Sequence, residues 1–137
     1  MKSNTLILTI GLPLSGKSTW ATKQGHPVVN PDSIRLAIHG QPFIPQAEGL
    51  VWSIAKIMVR ALFFCGHDTV ILDATNLTEE RRSEWRSSKW DLSYEIFHAD
   101  EETCLARATL QNRMDMVPVI KRMAAQMEPL TEGEVKI

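Results

Sequence analysis

The run Gly11-Leu12-Pro13-Leu14-Ser15-Gly16-Lys17-Ser18 spaces two glycines, a lysine and a hydroxyl as G-x-x-x-x-G-K-[ST], directly behind the apolar stretch Leu6-Ile7-Leu8-Thr9-Ile10. Those residue types build a phosphate cradle. Glycines let backbone N–H groups close around anionic oxygens, the lysine reaches the β and γ phosphates, and the hydroxyl holds Mg²⁺. Gly11, Ser15, Gly16, Lys17 and Ser18 are therefore candidate phosphate-binding residues, Thr19 stands close enough to touch a phosphate, and Ser18 is the candidate metal ligand.

Phosphoryl transfer asks a protein mainly to place an acceptor in line and to neutralise charge on the moving group. Asp32 and Arg35 lie three apart on a predicted helix and so share a face. Asp32 can accept the proton of an attacking hydroxyl, and Arg35 can clamp an anionic group on the same molecule. Spacing alone favours the plainer roles, a carboxylate at a helix start and an arginine in water. Asp73 ends the apolar run Val70-Ile71-Leu72, a position suited equally to a turn cap and to an acid that supports a metal or orients an acceptor. Thr75 and Asn76 follow at the same edge, Asn76 as a cap. Arg107, Arg113, Lys121 and Arg122 sit in a late helical region where a mobile cover can bring a cation onto phosphates. Six helical residues turn roughly 240°, so Arg107 and Arg113 address one site only if the helix breaks between them. Arg81, Arg82, Arg86 and Lys89, interleaved with Trp85 and Trp90, suit either a nucleic-acid backbone or a solvated helix with both tryptophans in the core, and the second is favoured.

The elements that must position these groups alternate. Residues 5–10 read as a buried strand, 17–24 as a helix stopped at Gly25, and 27–30 as a short strand. Asn30-Pro31 has the form of a cap followed by a first-turn proline, opening a helix over 32–39 that Gly40-Gln41-Pro42 ends. Over 47–64, Leu50, Ile54, Ile57, Met58, Ala61 and Leu62 recur at helical spacing and are assigned to the core. Residues 69–73 form a third strand, Asn76 and Glu79 have capping-box spacing for a helix towards Ser88, and 93–98 form a fourth strand. Helices follow over 101–112 and 118–127, and residues 134–137 suit an edge strand. This order predicts an α/β fold with a mostly parallel sheet of four or five strands and helices on both faces, its ligand beyond the carboxyl ends of the strands, where Gly11, Asp32 and Asp73 emerge.

A chain of 137 residues with 44% hydrophobic content fits one domain spanning 1–137. A net charge of −1 excludes a uniformly basic nucleic-acid coat, so any nucleic-acid contact must be local. No signal sequence or apolar run of bilayer length is visible, and Cys65 and Cys104 lack metal-ligand spacing. Both are read as packing residues of a cytoplasmic protein without membrane association. The four histidines show no metal pattern, and no motif identifies a protein partner.

Gly11 to Trp20, Asn30 to Arg35, Val70 to Arg82 (VILDATNLTEERR) and Arg107 to Met123, with Val117-Pro118 inside it, resemble in order and spacing the kinase domain of phage-type polynucleotide 5′-kinases, within the P-loop kinase superfamily. The likeness spans nearly the whole chain. It implies a P-loop NTPase-type sheet with a helical lid over about residues 101–127, and transfer of the ATP γ-phosphate, with Mg²⁺, to a 5′-hydroxyl end of DNA or RNA. By matching motif, Lys17 and Ser18 would hold donor phosphates and metal, and Asp32 would be the general base. Arg35 would grip the acceptor's phosphate, Asp73 would order the acceptor pocket beside Thr75, and Arg113 would be the lid arginine with Arg107 nearby. Leu14 departs from the family, which often has glycine there. The family's bifunctional members also carry a phosphatase domain, and none of that size follows Ile137, so 3′-phosphate end-healing is not expected. A small-molecule kinase on the same scaffold and a non-catalytic nucleotide-binding module are the rival readings.

Overall fold

A computed structural model describes residues 3–135. Four parallel strands, β1 (Thr5–Ile10), β2 (Val28–Val29), β3 (Thr69–Leu72) and β4 (Asp91–Ile96), lie in the order β2-β3-β1-β4. The helices are α1 (Lys17–Thr22), α2 (Pro31–His39), α3 (Glu48–Phe64), α4 (Glu79–Ser83), α5 (Glu101–Leu110) and α6 (Val117–Gln126), with 3₁₀ turns at Pro45–Ala47 and Met114–Met116. Thr5 of β1 stands opposite Thr69 of β3 on one side and Asp91 of β4 on the other. The chain leaves β1 towards the β3 side and later crosses to the β4 side. That reversal makes the carboxyl end of β1 the switch point of the sheet, where a crevice opens.

Two buried clusters hold the layers together. Leu6, Leu8, Val29, Val70 and Leu72 of the sheet pack with Ile34 of α2, Val51, Ala55 and Val59 of α3, and both Trp85 and Trp90. Leu12 and Leu77 pack with Cys104, Ala108 and Ile120 of α5 and α6. Among the described residues no helix is long and apolar enough to cross a membrane.

Several expectations need correction. The apolar stripe assigned to the core on α3 is partly right: Ile54 and Leu62 pack against the core, but its buried centre is Val51, Ala55 and Val59, whereas Leu50, Ile57, Met58 and Ala61 are exposed. The helix is apolar on two faces, and only tertiary packing chooses between them. Asn76 does not cap α4. It takes a left-handed φ of 45° and donates Nδ2 to the Thr9 carbonyl at 2.8 Å, while Thr78 caps by accepting from the Arg81 amide at 3.2 Å. That helix ends at Ser83 because the following chain bends through a Ser87–Trp90 bridge into β4. Cys65 is exposed at the end of α3, Cys104 alone is buried, and both are free thiols. Residues 134 and 135 of the expected edge strand lie in a turn and bend, while 136 and 137 lie outside the described residues.

That turn exists because Glu134 is drawn inward by Arg82, which is fully buried and not on a solvated face. The guanidinium donates to both Glu134 carboxylate oxygens at 2.7 and 3.1 Å, and to the carbonyls of Asn76, Glu128 and Pro129. Burial works against the Glu134 charge, but hydrogen bonds from Arg82 and Thr131 prevail and hold its carboxyl below the usual range. Because its folded value is depressed, this stabilisation is present above the ordinary glutamate range and is lost as pH falls through the folded value. Truncating one partner strands a buried charge. Arg82→Ala should therefore cost about 3–5 kcal/mol in urea unfolding, and a smaller loss in the doubly apolar Arg82→Met, Glu134→Leu protein would identify the stranded charge as the cause.

Candidate functional site

β1 delivers the chain into the loop at the switch point, and the loop's glycines answer to different constraints. A Cβ on Gly11 would lie 2.7 Å from Ser15 Oγ and 2.9 Å from Phe97 Cβ, so only hydrogen fits. Gly16 has open space around it but takes φ 105°, a left-handed conformation that favours glycine. Leu14 also sits at positive φ, 65°, which costs an L-residue roughly 1–2 kcal/mol. Its side chain packs on the α5–α6 cluster, which offsets that strain.

Lys17 is buried, and its Nζ donates to the Leu12 carbonyl at 2.6 Å and weakly to Ser15 Oγ at 3.4 Å. Burial pulls its ammonium from 10.5 down to about 8, with the charges of Asp73 and Asp32 among those acting the other way. Asp73, one residue past β3 and almost fully buried, accepts from Ser18 Oγ at 2.6 Å and from Asn30 Nδ2 at 3.0 Å on the same oxygen. Asn30 uses its other end to cap α2 through the Ser33 amide at 3.1 Å. The Gly11 amide donates to the Thr75 carbonyl at 3.1 Å, which ties the loop after β3 to the base of the phosphate loop.

These residues fit a nucleotide triphosphate with its metal. No side chain caps the first turn of α1, so the amides of Gly16, Lys17 and Ser18 are available to anionic oxygens. The Ser18 hydroxyl and Asp73 carboxylate are hard oxygen donors of the kind Mg²⁺ takes alongside phosphates and water. Among the described residues no group of three or more His, Cys, Asp or Glu is placed to hold a metal unaided.

Beyond the end of β2, α2 presents Asp32 with its side chain 81% exposed, paired to Arg35 Nη1 at 2.7 Å. Arg35 is itself gripped by Glu48 of α3, Nε at 2.8 Å and Nη2 at 2.7 Å. That bidentate bond raises the Arg35 pKa above the ordinary value and holds the Glu48 carboxyl below the usual range. Glu48 is absent from the sequence reading. It lies 13 residues beyond Arg35 on another helix, and no local spacing rule connects them.

The two late arginines diverge. α5 ends at Leu110 and Asn112 takes φ 57°, so the helix does break between them. Arg107 Nη1 donates to the Leu14 carbonyl at 2.9 Å, directly on the phosphate loop. Arg113 instead makes a solvent-exposed pair with Asp115 at 3.1 Å. Thr19, Lys121 and Arg122 are exposed.

Residues 6–130 match the family described as an AAA domain. A chain of the Pnkp1/Rnl/Hen1 complex superposes with a TM-score of 0.70 and 23% identity, over 100% of this chain and 44% of that one. A chain of the Pnkp1/Rnl/Hen1 RNA repair complex gives 0.67 and 17%, over 99% and 50%. A gluconokinase from Sinorhizobium meliloti 1021 gives 0.59 and 18%, over 98% and 79%. The chain thus spans about half the length of the first two, and these likenesses establish a P-loop kinase-like fold.

A triphosphate is best met by the charged form of Lys17, so affinity for Mg·ATP should fall as pH rises through about 8, approaching tenfold per unit above it. The empty protein should move the other way. Between about 8 and 10.5 the unfolded chain binds more protons than the folded one, so stability rises with pH across that window. Calorimetry above pH 8 in two buffers of different ionisation enthalpy should detect uptake of most of a proton on binding, and Lys17→Ala should abolish it. Buffer-independent heats in the wild type would contradict the assignment.

Proposed function

The chain belongs to the AAA-domain family, and we propose that within it this protein is an ATP-dependent kinase that moves the γ-phosphoryl group to the 5′-hydroxyl end of DNA or RNA. The observation that carries this reading is the placement of Asp32: exposed, oriented by Arg35, and near enough for its charge to act on Lys17. A base for an alcohol on the far side of a cradle for phosphates is the arrangement this reading requires.

In this reading Lys17 exchanges the Leu12 carbonyl for the β and γ oxygens, the amides of Gly16, Lys17 and Ser18 meet the anion beside Thr19, and Gly11 and Ser15, whose own amides are bonded to Thr75 and Leu12, shape the loop around it. Bound Mg²⁺, held through Ser18 and supported by Asp73, supplies charge neutralisation on the transferring group. Asp32 takes the proton of the 5′-hydroxyl. Arg35 commits three of its five N–H donors to Asp32 and Glu48, which leaves two for a phosphate on the acceptor. Asp73 and Thr75 set the floor between donor and acceptor. The lid over 101–127 carries Arg107, already on the loop, and Arg113, which exchanges Asp115 for phosphate when the lid closes.

Transfer of labelled γ-phosphate to a 5′-hydroxyl oligonucleotide tests the reading. Lys17→Ala and Asp32→Ala should each lower kcat at least 100-fold, the size expected for loss of a positioned base or phosphate cation. Arg35→Ala should chiefly raise the acceptor KM. An Asp32→Ala enzyme as fast as wild type removes the base from the mechanism. A fold shared with a gluconokinase and a net charge of −1 favour a small-molecule alcohol as the second reading, identified by transfer to sugars or nucleosides but not to oligonucleotides. ATP binding without transfer to any acceptor would identify a non-catalytic module.

A further inference from the structure

The Arg35 site does not end at Arg35. A hollow of about 290 Å³ between α3 and α4 starts at Glu48 and Trp52 and runs past Lys56 and Glu84 into a second of about 180 Å³ bounded by Arg60 and Arg86. The two share Lys56 and Glu84, so they form one groove. Glu48 lines its mouth while gripping Arg35, and the Arg35 guanidinium lies 5.9 Å from the Trp52 ring centre.

The groove's charge opposes that of the molecule. Lys56, Arg60, Arg81 and Arg86 line it against Glu48 and Glu84; Glu48 is paired with Arg35, Arg81 with Glu84 at 3.1 Å and Arg86 with Glu79 at 3.8 Å, so Lys56 and Arg60 carry the surplus positive charge, in a chain whose net charge is −1. Lys56 and Arg60 stand one turn apart on α3, with about 5–6 Å between their Cβ atoms, so cations repeat along the groove's length. The Arg81 guanidinium lies 4.2 Å over the Trp52 ring, and its side chain remains 38% exposed. An indole behind a guanidinium fixes a flat cationic plane whose outer side is available for a base to stack on, while neighbouring cations meet phosphates.

We infer that this groove holds the nucleotides that follow the 5′-terminal one in a single-stranded nucleic acid, with Arg81 stacking a base and Lys56, Arg60 and Arg86 tracking the backbone. The inference rests on Asp32 and Arg35 as the acceptor site, and it adds a length requirement that their geometry alone does not impose. An acidic peptide would meet the same cations but has no use for the stacked plane.

Two measurements on the full chain test it. The first is anisotropy of a 3′-labelled, 5′-hydroxyl octanucleotide without ATP, as a function of salt. Lys56→Ala with Arg81→Ala should weaken binding tenfold or more and lower the salt slope by about one, for the phosphate contact of Lys56. Arg81→Lys should keep the slope and still lose affinity. The second is the ratio of kcat/KM for the octanucleotide to that for a nucleoside 3′-monophosphate. It should be well above one in wild type and fall about tenfold in the double variant. Wild-type affinity that survives both substitutions overturns the inference, as does displacement of the octanucleotide by polyglutamate at equal charge. Equal use of the long and minimal acceptors by wild type sinks the groove and leaves the kinase reading standing. Groove-dependent binding without phosphoryl transfer to any polynucleotide does the reverse.

Discussion

A single buried oxygen organises the crevice. Oδ2 of Asp73 receives the Ser18 hydroxyl from the phosphate loop and the Asn30 amide from the cap of α2, and Asp73 itself sits at the end of β3. Three segments far apart in sequence are thereby joined at one atom. A buried carboxylate without such partners is costly, so once the sheet pairs β3 beside β1 the surrounding chain must supply donors. Both donors come from positions that also serve local structure, since Asn30 caps α2 with its other end. The same contact that satisfies Asp73 therefore sets where α2 begins, and with it where Asp32 and Arg35 are presented.

Around that junction the loop is held in tension between backbone preference and packing. Leu14 occupies a left-handed conformation while its side chain joins the cluster formed by α5 and α6. Arg107 of α5 reaches the carbonyl of the same residue. α5 and the loop are thus mechanically coupled through Leu14, and a shift of α5 pulls on the loop. A glycine there would free the backbone and remove the side-chain anchor, so leucine exchanges local ease for a physical link between α5 and the loop.

Charge in the crevice is prepared in pairs that differ in kind. Arg35 is locked by a bidentate carboxylate and positioned before any ligand arrives. Lys17, by contrast, is desolvated and rests on a neutral carbonyl, so its charge is held less firmly than that of a solvated lysine until an anion enters. In the proposed kinase, a pre-set clamp and a poised cation would suit, respectively, an acceptor that must be held still and a phosphate whose charge must be neutralised.

Strand and helix order, the phosphate loop and the α2 cap were legible in the sequence because each is encoded within a few residues: an apolar run before glycines, an Asn-Pro start, a Gly stop. The positive φ of Gly16 and the tight approach at Gly11 follow from the same short motif. Tertiary structure decided whatever required two distant segments to choose each other. It selected which apolar face of α3 turns inward, it buried Arg82 with Glu134 from the far end of the chain, and it brought Glu48 to Arg35. Periodicity describes what one element can bury, and spacing describes what one helix face can present. Neither contains the partner, because pairing across 13 or 52 residues is fixed only when packing of the whole sheet and its helices has set their separation.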